Sequence, residues 1–172
     1  MNVNCHCVYR NDDINTKITT IMILREASIT YKKTGSIDSI HLDSSEKIYK
    51  AAKIFLENFD PEKEHFCVIA LDRKNKVKGI SHVTTGSISA CIADPVGVFK
   101  PLVLQSAAAF AVFHNHPSGD PAPSRADIQV TRQLREASKI MNIQFMDHII
   151  VGEIEDDCQG IGFYSFDLAG LI

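Results

Sequence analysis

Apolar residues recur with the period of a helix in two parts of the chain. The first part starts with the capping pair Asp43 and Glu46 and is predicted to end at Pro61. The second part runs from about Ser124 to Met141. Each has one apolar face, formed by Ile48, Ala52, Phe55 and Phe59 in the first and by Val130, Leu134, Ala137 and Met141 in the second. This spacing predicts two amphipathic helices that pack on a core.

Shorter apolar runs have the length and composition of strands. Residues 64–72 and 77–84 flank a polar turn, which predicts a hairpin. Further strands are predicted at 18–24, 27–32, 107–113, 145–151 and 161–166. A third helix begins at Asp94-Pro95 or at Lys100-Pro101 and runs to about Ala108. Its start stays open, because proline is tolerated only in the first turn of a helix.

The predicted order of elements is β-β-α-β-β-α-β-α-β-β. Hairpins and helical crossovers are mixed in this order, which predicts an α/β fold with a mixed central sheet flanked by helices. The chain has 172 residues, 45% of them hydrophobic and 23% charged, which suits a globular protein with a sizeable core. Residues 1–42 carry no motif and are interpreted as an N-terminal extension of a main domain at 43–172.

Charge and composition exclude several classes of protein. The net charge of −3 argues against the basic surface of a nucleic-acid-binding protein. We see no apolar run of membrane-spanning length and no apolar signal-peptide segment near the N-terminus. The five cysteines are odd in number and irregularly spaced, which argues against a disulfide framework. These observations predict a cytoplasmic protein with no membrane partner.

The candidate chemistry lies in one stretch, residues 114–127, with the sequence HNHPSGDPAPSRAD. It joins the end of a predicted strand to the start of a predicted helix. His114 and His116 are two residues apart, so they project from the same face of a strand. Asp127, in the first turn of the helix, can turn back towards them. Two imidazoles and a carboxylate that converge in this way are typical of a divalent metal site with an open position.

Ordinary structural roles for the same residues stay open at this point. Ser124 can be the N-cap of the helix, with Asp127 completing a capping box. The pair Asp147-His148 either orients a ligand histidine through a ring N–H or forms a hydrogen-bonded pair in the core. The tract Cys5-His6-Cys7 has no second pair of ligands beside it, so we assign it no metal.

The string H-x-H, a spacer and S-x-x-D resembles the JAMM motif of the JAB/MPN metalloproteases. In the detail HNHPSGDPxPSxxDI it resembles the RadC family, over about residues 43–172. The resemblance implies the three-layer JAB/MPN architecture, which is related to the cytidine-deaminase fold. It implies a zinc ion held by His114, His116 and Asp127. It also implies that Glu64, at the entrance of an upstream strand, is the catalytic base, with Glu57 and Glu62 as nearby alternatives.

The function expected from this resemblance is a zinc metallopeptidase that hydrolyses a peptide or isopeptide bond. Glu64 would take the proton of the attacking water, and the Ser124 hydroxyl would donate to the oxyanion. The expected partner is a protein or peptide substrate, and tight binding to nucleic acid is not expected. The sequence predicts no oligomeric state.

Two alternatives stay open. One is a non-catalytic JAMM-like interaction module, and the other is a protein that acts on nucleic acid in DNA repair. Full-length RadC proteins usually carry a helix-hairpin-helix segment, which we do not recognise in this chain. The return strand carries Ser81 and His82 where RadC relatives often have acidic residues, and we do not assign His82 as a ligand.

Overall fold

The computed structural model describes residues 41–86 and 94–172. Within these ranges the elements are α1 (Ser45–Leu56), β1 (Glu64–Leu71), β2 (Val77–Gly86), α2 (Pro95–Leu104), β3 (Ala109–Asn115), α3 (Arg125–Met141), β4 (Gln144–Val151) and β5 (Phe163–Ser165). The strands predicted at 18–24 and 27–32 lie outside the described residues. The division of the chain at residue 42 therefore stays a prediction.

The strands form one five-stranded sheet in the order β2-β1-β3-β4-β5. Only the pair β3–β4 is parallel, and the other three pairs are antiparallel. Helix α1 covers one face of the sheet, which we call the back face, and helices α2 and α3 cover the other, the front face. The prediction of an α/β fold with a mixed central sheet flanked by helices is confirmed.

Strand β1 shows how alternation divides the core between the two faces. Its residues 66, 68 and 70 pack on the front face with apolar residues of α2 and α3, and residues 67, 69 and 71 pack on the back face with α1. Almost every residue of β1 is buried, because β1 lies inside the sheet and has helices on both sides. Burial of these side chains is the main stabilising contribution to the fold.

The start and the end of α1 both differ from the prediction. Ser44, not Asp43, is the N-cap, and its hydroxyl accepts a hydrogen bond from the Lys47 backbone N–H. Asp43 instead forms an ion pair with the Lys47 side chain, at 2.6 Å. The helix ends at Leu56 rather than at Pro61. The Asn58 side chain donates to the Phe55 carbonyl at 3.0 Å, which satisfies a carbonyl in the last turn of the helix.

The other two helices and β5 also refine the prediction. Asp94 caps α2 and Pro95 is its first residue, which decides between the two predicted starts, and α2 ends at Leu104 rather than near 108. The predicted packing of Met141 is wrong, since 43% of its surface is exposed. Asn142 ends α3 in the left-handed conformation, so the chain turns and buries Ile143 instead. Strand β5 is shorter than predicted.

Strand β4 contains one extra residue relative to β3. Phe110 pairs with Phe145 and Ala111 pairs with Asp147, so Met146 is the extra residue of a bulge. Side chains alternate along a strand, and an extra residue shifts this alternation by one. Phe145 therefore packs on the front face, Asp147 lies towards the back face, and His148 returns to the front face.

In the described part of the chain, no helix combines the length and the hydropathy that a membrane span needs.

Candidate metal centre

The two histidines of the motif lie where β3 ends. His114 is fully buried on the front face, with its ring stacked on Phe66 at a centroid distance of 5.7 Å. His116 follows the last residue of β3, and its backbone N–H donates to the Val151 carbonyl at 3.0 Å. The parallel pairing of β3 with β4 therefore extends to His116 and fixes the direction in which its side chain leaves the sheet.

Asp127 is brought to the histidines by the start of α3. Ser124 is the N-cap, and its hydroxyl oxygen accepts from the Asp127 backbone N–H at 3.2 Å. The Asp127 carboxylate accepts from the Ser124 backbone N–H at 2.7 Å, which completes a capping box. The capping role considered for these two residues is thus confirmed. The same hydrogen bonds turn the carboxylate back towards β3.

The donor atoms of the three side chains form a compact triangle. The distance is 3.1 Å between His114 Nε2 and His116 Nε2, 3.2 Å between His114 Nε2 and Asp127 Oδ1, and 3.5 Å between His116 Nε2 and Asp127 Oδ2. Ligands at the usual zinc distances in a tetrahedron are about 3.3 Å apart. The spacing and the donor types fit zinc, and this group could hold a metal ion.

A chain of hydrogen bonds sets the tautomer of His114. The Thr131 hydroxyl donates to the Asp127 carbonyl at 2.6 Å, so its oxygen must accept from His148 Nδ1–H, also at 2.6 Å. His148 Nε2 is then unprotonated and accepts from His114 Nδ1–H at 2.9 Å. The unprotonated Nε2 of His114 consequently faces the centre, which is the form that binds a metal.

A single hydrogen bond holds His116 in the same tautomer. Its Nδ1 lies 2.8 Å from the Asp120 carbonyl oxygen, which can only accept, so Nδ1 carries the proton. Its Nε2 faces His114 and Asp127. Both histidines therefore direct a lone pair at one point, as metal ligands anchored through their other ring nitrogen do.

The electrostatics of the centre favour an ionised carboxylate. Burial alone would raise the pKa of Asp127, but the hydrogen bonds that the carboxylate accepts from His114 and His116 when these rings are protonated outweigh it and hold the pKa far below its usual range. Burial would lower the pKa of His116, and the hydrogen bond with Asp127 outweighs it and raises the pKa. Burial and the neighbouring His114 ring lower the pKa of His148, so its ring stays neutral, as its hydrogen-bond chain requires.

Glu64 lies at the entrance of β1 on the front face. Its Oε1 is 4.0 Å from His114 Nε2, and 14% of its side chain is exposed. Glu57 and Glu62 are exposed residues of the segment between α1 and β1. Among the three glutamates considered from the sequence, Glu64 is the one that the structure brings to within 4.0 Å of a histidine of the centre.

Asn115 holds the backbone on both sides of Glu64. Its Oδ1 accepts from the His65 backbone N–H at 2.9 Å, and its Nδ2 donates to the Lys63 carbonyl at 2.9 Å. The side-chain amide thus continues the β1–β3 hydrogen bonding beyond the last paired residues, Phe66 and His114. These contacts give Asn115 a structural role, and they also fix the strand end that carries Glu64.

The pair Asp147-His148 divides between the two roles considered for it. His148 orients His114, as described above. Asp147 lies on the other face, where it accepts hydrogen bonds from the Ser165 hydroxyl at 2.7 Å and from the Asp167 backbone N–H at 3.1 Å. Thr131 was missed by the sequence reasoning. Its signal was a hydroxyl one helical turn after Asp127, between the buried positions Val130 and Leu134.

Comparison with known proteins identifies relatives of this chain. A family model described as a RadC-like JAB domain matches residues 42–171. A UPF0758 protein of Geobacter sulfurreducens is 47% identical over 66% of this chain and 46% of its own length. A UPF0758 protein of Clostridium acetobutylicum is 38% identical over 81% of this chain and 60% of its own length. The chain spans about half the length of the curated relatives it matches.

Proposed function

The chain belongs to the family of RadC-like JAB domains, and from this premise we propose that it is a zinc metallopeptidase. The proposed reaction is hydrolysis of a peptide or isopeptide bond by an activated water. The proposal rests on the convergence of His114, His116 and Asp127. Their donor atoms lie 3.1–3.5 Å apart, and both histidines are in the tautomer that binds a metal.

In this proposal the two imidazoles and the carboxylate hold zinc and leave one position open. Zinc, when bound, would lower the pKa of a coordinated water to about 7. The environment supports this ligand set because Asp127 stays ionised at neutral pH. His148 and Thr131 keep the His114 imidazole oriented. The Asp120 carbonyl does the same for the His116 imidazole.

Glu64 is proposed as the general base. Its carboxylate would take the proton of the attacking water and then deliver it to the leaving amine. The position of Glu64 beside His114 and its partial exposure support this role, because a base must reach both the centre and the incoming substrate. Asn115 would act as a positioning residue, since it fixes the backbone of Lys63 and His65.

Ser124 is proposed to stabilise the oxyanion of the tetrahedral intermediate. In the capping box its oxygen accepts a hydrogen bond, so its O–H proton remains available to a substrate carbonyl. The side chain is on an exposed residue at the start of α3, which leaves the hydroxyl accessible. Its roles as a cap and as an oxyanion donor are therefore compatible.

We propose a protein or peptide substrate and a cytoplasmic site of action. A cavity of about 400 Å³, lined by α1, His65 and the loop after β3, reaches the centre only at His116 and would accept part of a polypeptide. The net charge of −3 supports a polypeptide over a nucleic acid. The complete ligand set supports an enzyme over the non-catalytic JAMM-like alternative.

The proposal is tested by metal analysis combined with a substrate screen. The full chain is purified without a metal-affinity tag, and its metal content is measured by plasma mass spectrometry. Peptides and isopeptide-linked conjugates are then screened, with the variant His116→Ala as the matched inactive control. We expect about one zinc per chain at this centre and cleavage only by the wild-type protein. Equal zinc content in the wild-type protein and His116→Ala would contradict the assignment.

A further inference from the structure

A second group of histidines lies on the back face, where β1 and β2 pair. His65 Nδ1 is 3.4 Å from His82 Nε2, and the Thr85 hydroxyl oxygen is 3.1 Å from the first nitrogen and 3.0 Å from the second. The three atoms form a triangle with nearly the edge lengths of the centre described above. His65 is only 5% exposed, whereas His82 and Thr85 are on the surface, so the group is open to solvent.

The proton of the neutral His65 ring is directed away from this triangle. His65 Nε2 lies 2.9 Å from the Asp60 carbonyl oxygen and must donate to it, so His65 Nδ1 is unprotonated in the neutral ring. Burial and the His65 ring lower the pKa of His82, which favours a neutral ring. A neutral His82 ring with its proton on Nδ1 offers the lone pair of Nε2 to the triangle.

In that tautomer, two ring lone pairs and one hydroxyl meet, and the hydroxyl has a single proton to share between them. A cation at their midpoint would satisfy both nitrogens. The rings are also restrained in this orientation, because Phe59 stacks on His82 at a centroid distance of 5.1 Å and packs against His65 at 4.9 Å.

We infer that His65, His82 and the Thr85 hydroxyl form a second site for a divalent transition metal, zinc above all. Donors of tetrahedral zinc are about 3.3 Å apart, which matches this triangle better than the larger cages of calcium do. Neutral imidazoles anchored through their other nitrogen are the ligand form that zinc prefers. With no carboxylate among its donors and two of its residues exposed, this site binds zinc more weakly than the principal centre. The inference does not depend on the proposed peptidase activity.

The test is a zinc titration of the full chain against a chromophoric chelator at neutral pH. Three proteins are compared: the wild type, His82→Ala, and the control His41→Ala, which removes an exposed histidine elsewhere in the domain. We expect His82→Ala to bind about one zinc fewer than the wild type and His41→Ala to match the wild type. Zinc bound by residues outside the described ranges is common to all three proteins and cancels in the difference. Equal zinc binding by His82→Ala and the wild type would overturn the inference.

A spectroscopic measurement separates a metal from a shared proton. In the variant His116→Ala, the imidazole resonances of His65 and His82 are followed by NMR during addition of zinc. We expect both sets of signals to shift together, and the shift to be weaker in a protein that also carries Thr85→Val. Signals that move with pH but not with zinc would mean that the two rings share a proton, which also overturns the inference.

Discussion

The two faces of the sheet carry different chemistry at the polar positions of three neighbouring strands. Strand β1 begins and strand β3 ends with two adjacent polar residues, one per face, and β4 carries such a pair in its middle. The front face has Glu64, His114 and His148, and the back face has His65, Asn115 and Asp147. On the front face Glu64 and His114 face the centre beside Asp127, and His148 supports His114 from behind. On the back face they bond to backbone groups or hydroxyls of neighbouring segments, such as Lys63 and Ser165.

The front face therefore carries the groups proposed to react, and the back face carries groups that hold the backbone in place. Adjacent residues on a strand point to opposite faces, so each strand end can contribute a reactive group and a group that holds the backbone in place. A buried network with all its members satisfied is rigid, and a rigid support is what a metal centre needs to keep its ligands oriented. The comparison predicts that changes on the front face alter metal binding or catalysis, whereas most changes on the back face alter stability or positioning.

The largest effect is expected for Glu64→Gln. Gln keeps the shape of the side chain but cannot accept a proton, so turnover should fall by about 10²–10⁴-fold while zinc stays bound. The neighbouring back-face substitution His65→Gln should leave most of the turnover, since His65 does not face the centre. Steady-state cleavage of a substrate found in the screen, together with zinc analysis, measures both variants. Full activity of Glu64→Gln would place the base elsewhere, with Glu57, Glu62 and Asp120 the next residues to substitute.

A smaller effect is expected when the hydrogen-bond chain behind His114 is broken. Thr131→Val removes the hydroxyl that fixes the tautomer of His148, and zinc affinity should fall by about 10–100-fold. Ser138→Ala is the matched control, because it removes a hydroxyl from the same helix that bonds only to the Arg135 carbonyl. Competition with a chelator gives both affinities. The idea that His148 orients His114 fails if the two variants bind zinc equally well.

The back-face counterpart of that experiment is Asp147→Ala. It leaves the Ser165 hydroxyl and the Asp167 backbone N–H without their acceptor, so the free energy of unfolding should fall by about 1–3 kcal/mol. Zinc affinity should be unchanged, because Asp147 lies on the opposite face from His148. Chemical denaturation and the same chelator competition decide this. A loss of zinc affinity without a loss of stability would mean that the two faces are not separate.

The weakest effect expected is a dependence of zinc affinity on pH. Hydrogen bonding to Asp127 raises the pKa of His116, so in the metal-free protein this imidazole takes up a proton at a higher pH than an ordinary histidine. Only the neutral imidazole binds zinc. Affinity should therefore decrease as the pH falls from about 8 to about 6, through the usual histidine range. Chelator competition at several pH values checks the direction, and an affinity that rises towards acid pH would contradict it.

Local patterns were enough to predict most of the fold and the grouping of His114, His116 and Asp127. The strand before His114, the cap at Ser124 and the helix after it lie within one short stretch, and each has its own sequence signal. The predictions that failed concern either two neighbouring residues that compete for one role or residues that are far apart in the sequence. Ser44 displaced Asp43 as the cap because two capping residues stand side by side, and the sequence does not say which one the helix uses.

The support behind the centre could not be predicted for a different reason. Thr131 and His148 are 17 residues apart and meet only after α3 packs beside β4. Which residue of Asp147-His148 faces the metal ligands depends on the extra residue at Met146, and strand alternation alone would give the opposite answer. The second group, His65 and His82, likewise meets only through the pairing of β1 with β2.

The bulge at Met146 determines which face of the sheet Asp147 and His148 each occupy. Regular pairing of Met146 with Ala111, without the bulge, would shift the alternation by one and place an acid beside His114 and an imidazole beside Ser165. A protein without the bulge would keep both hydrogen-bond networks only if it lacked Met146 or carried His-Asp in place of Asp-His. The inserted residue and the dipeptide after it thus form a single unit of three positions, because the faces that the dipeptide occupies depend on how the inserted residue is paired.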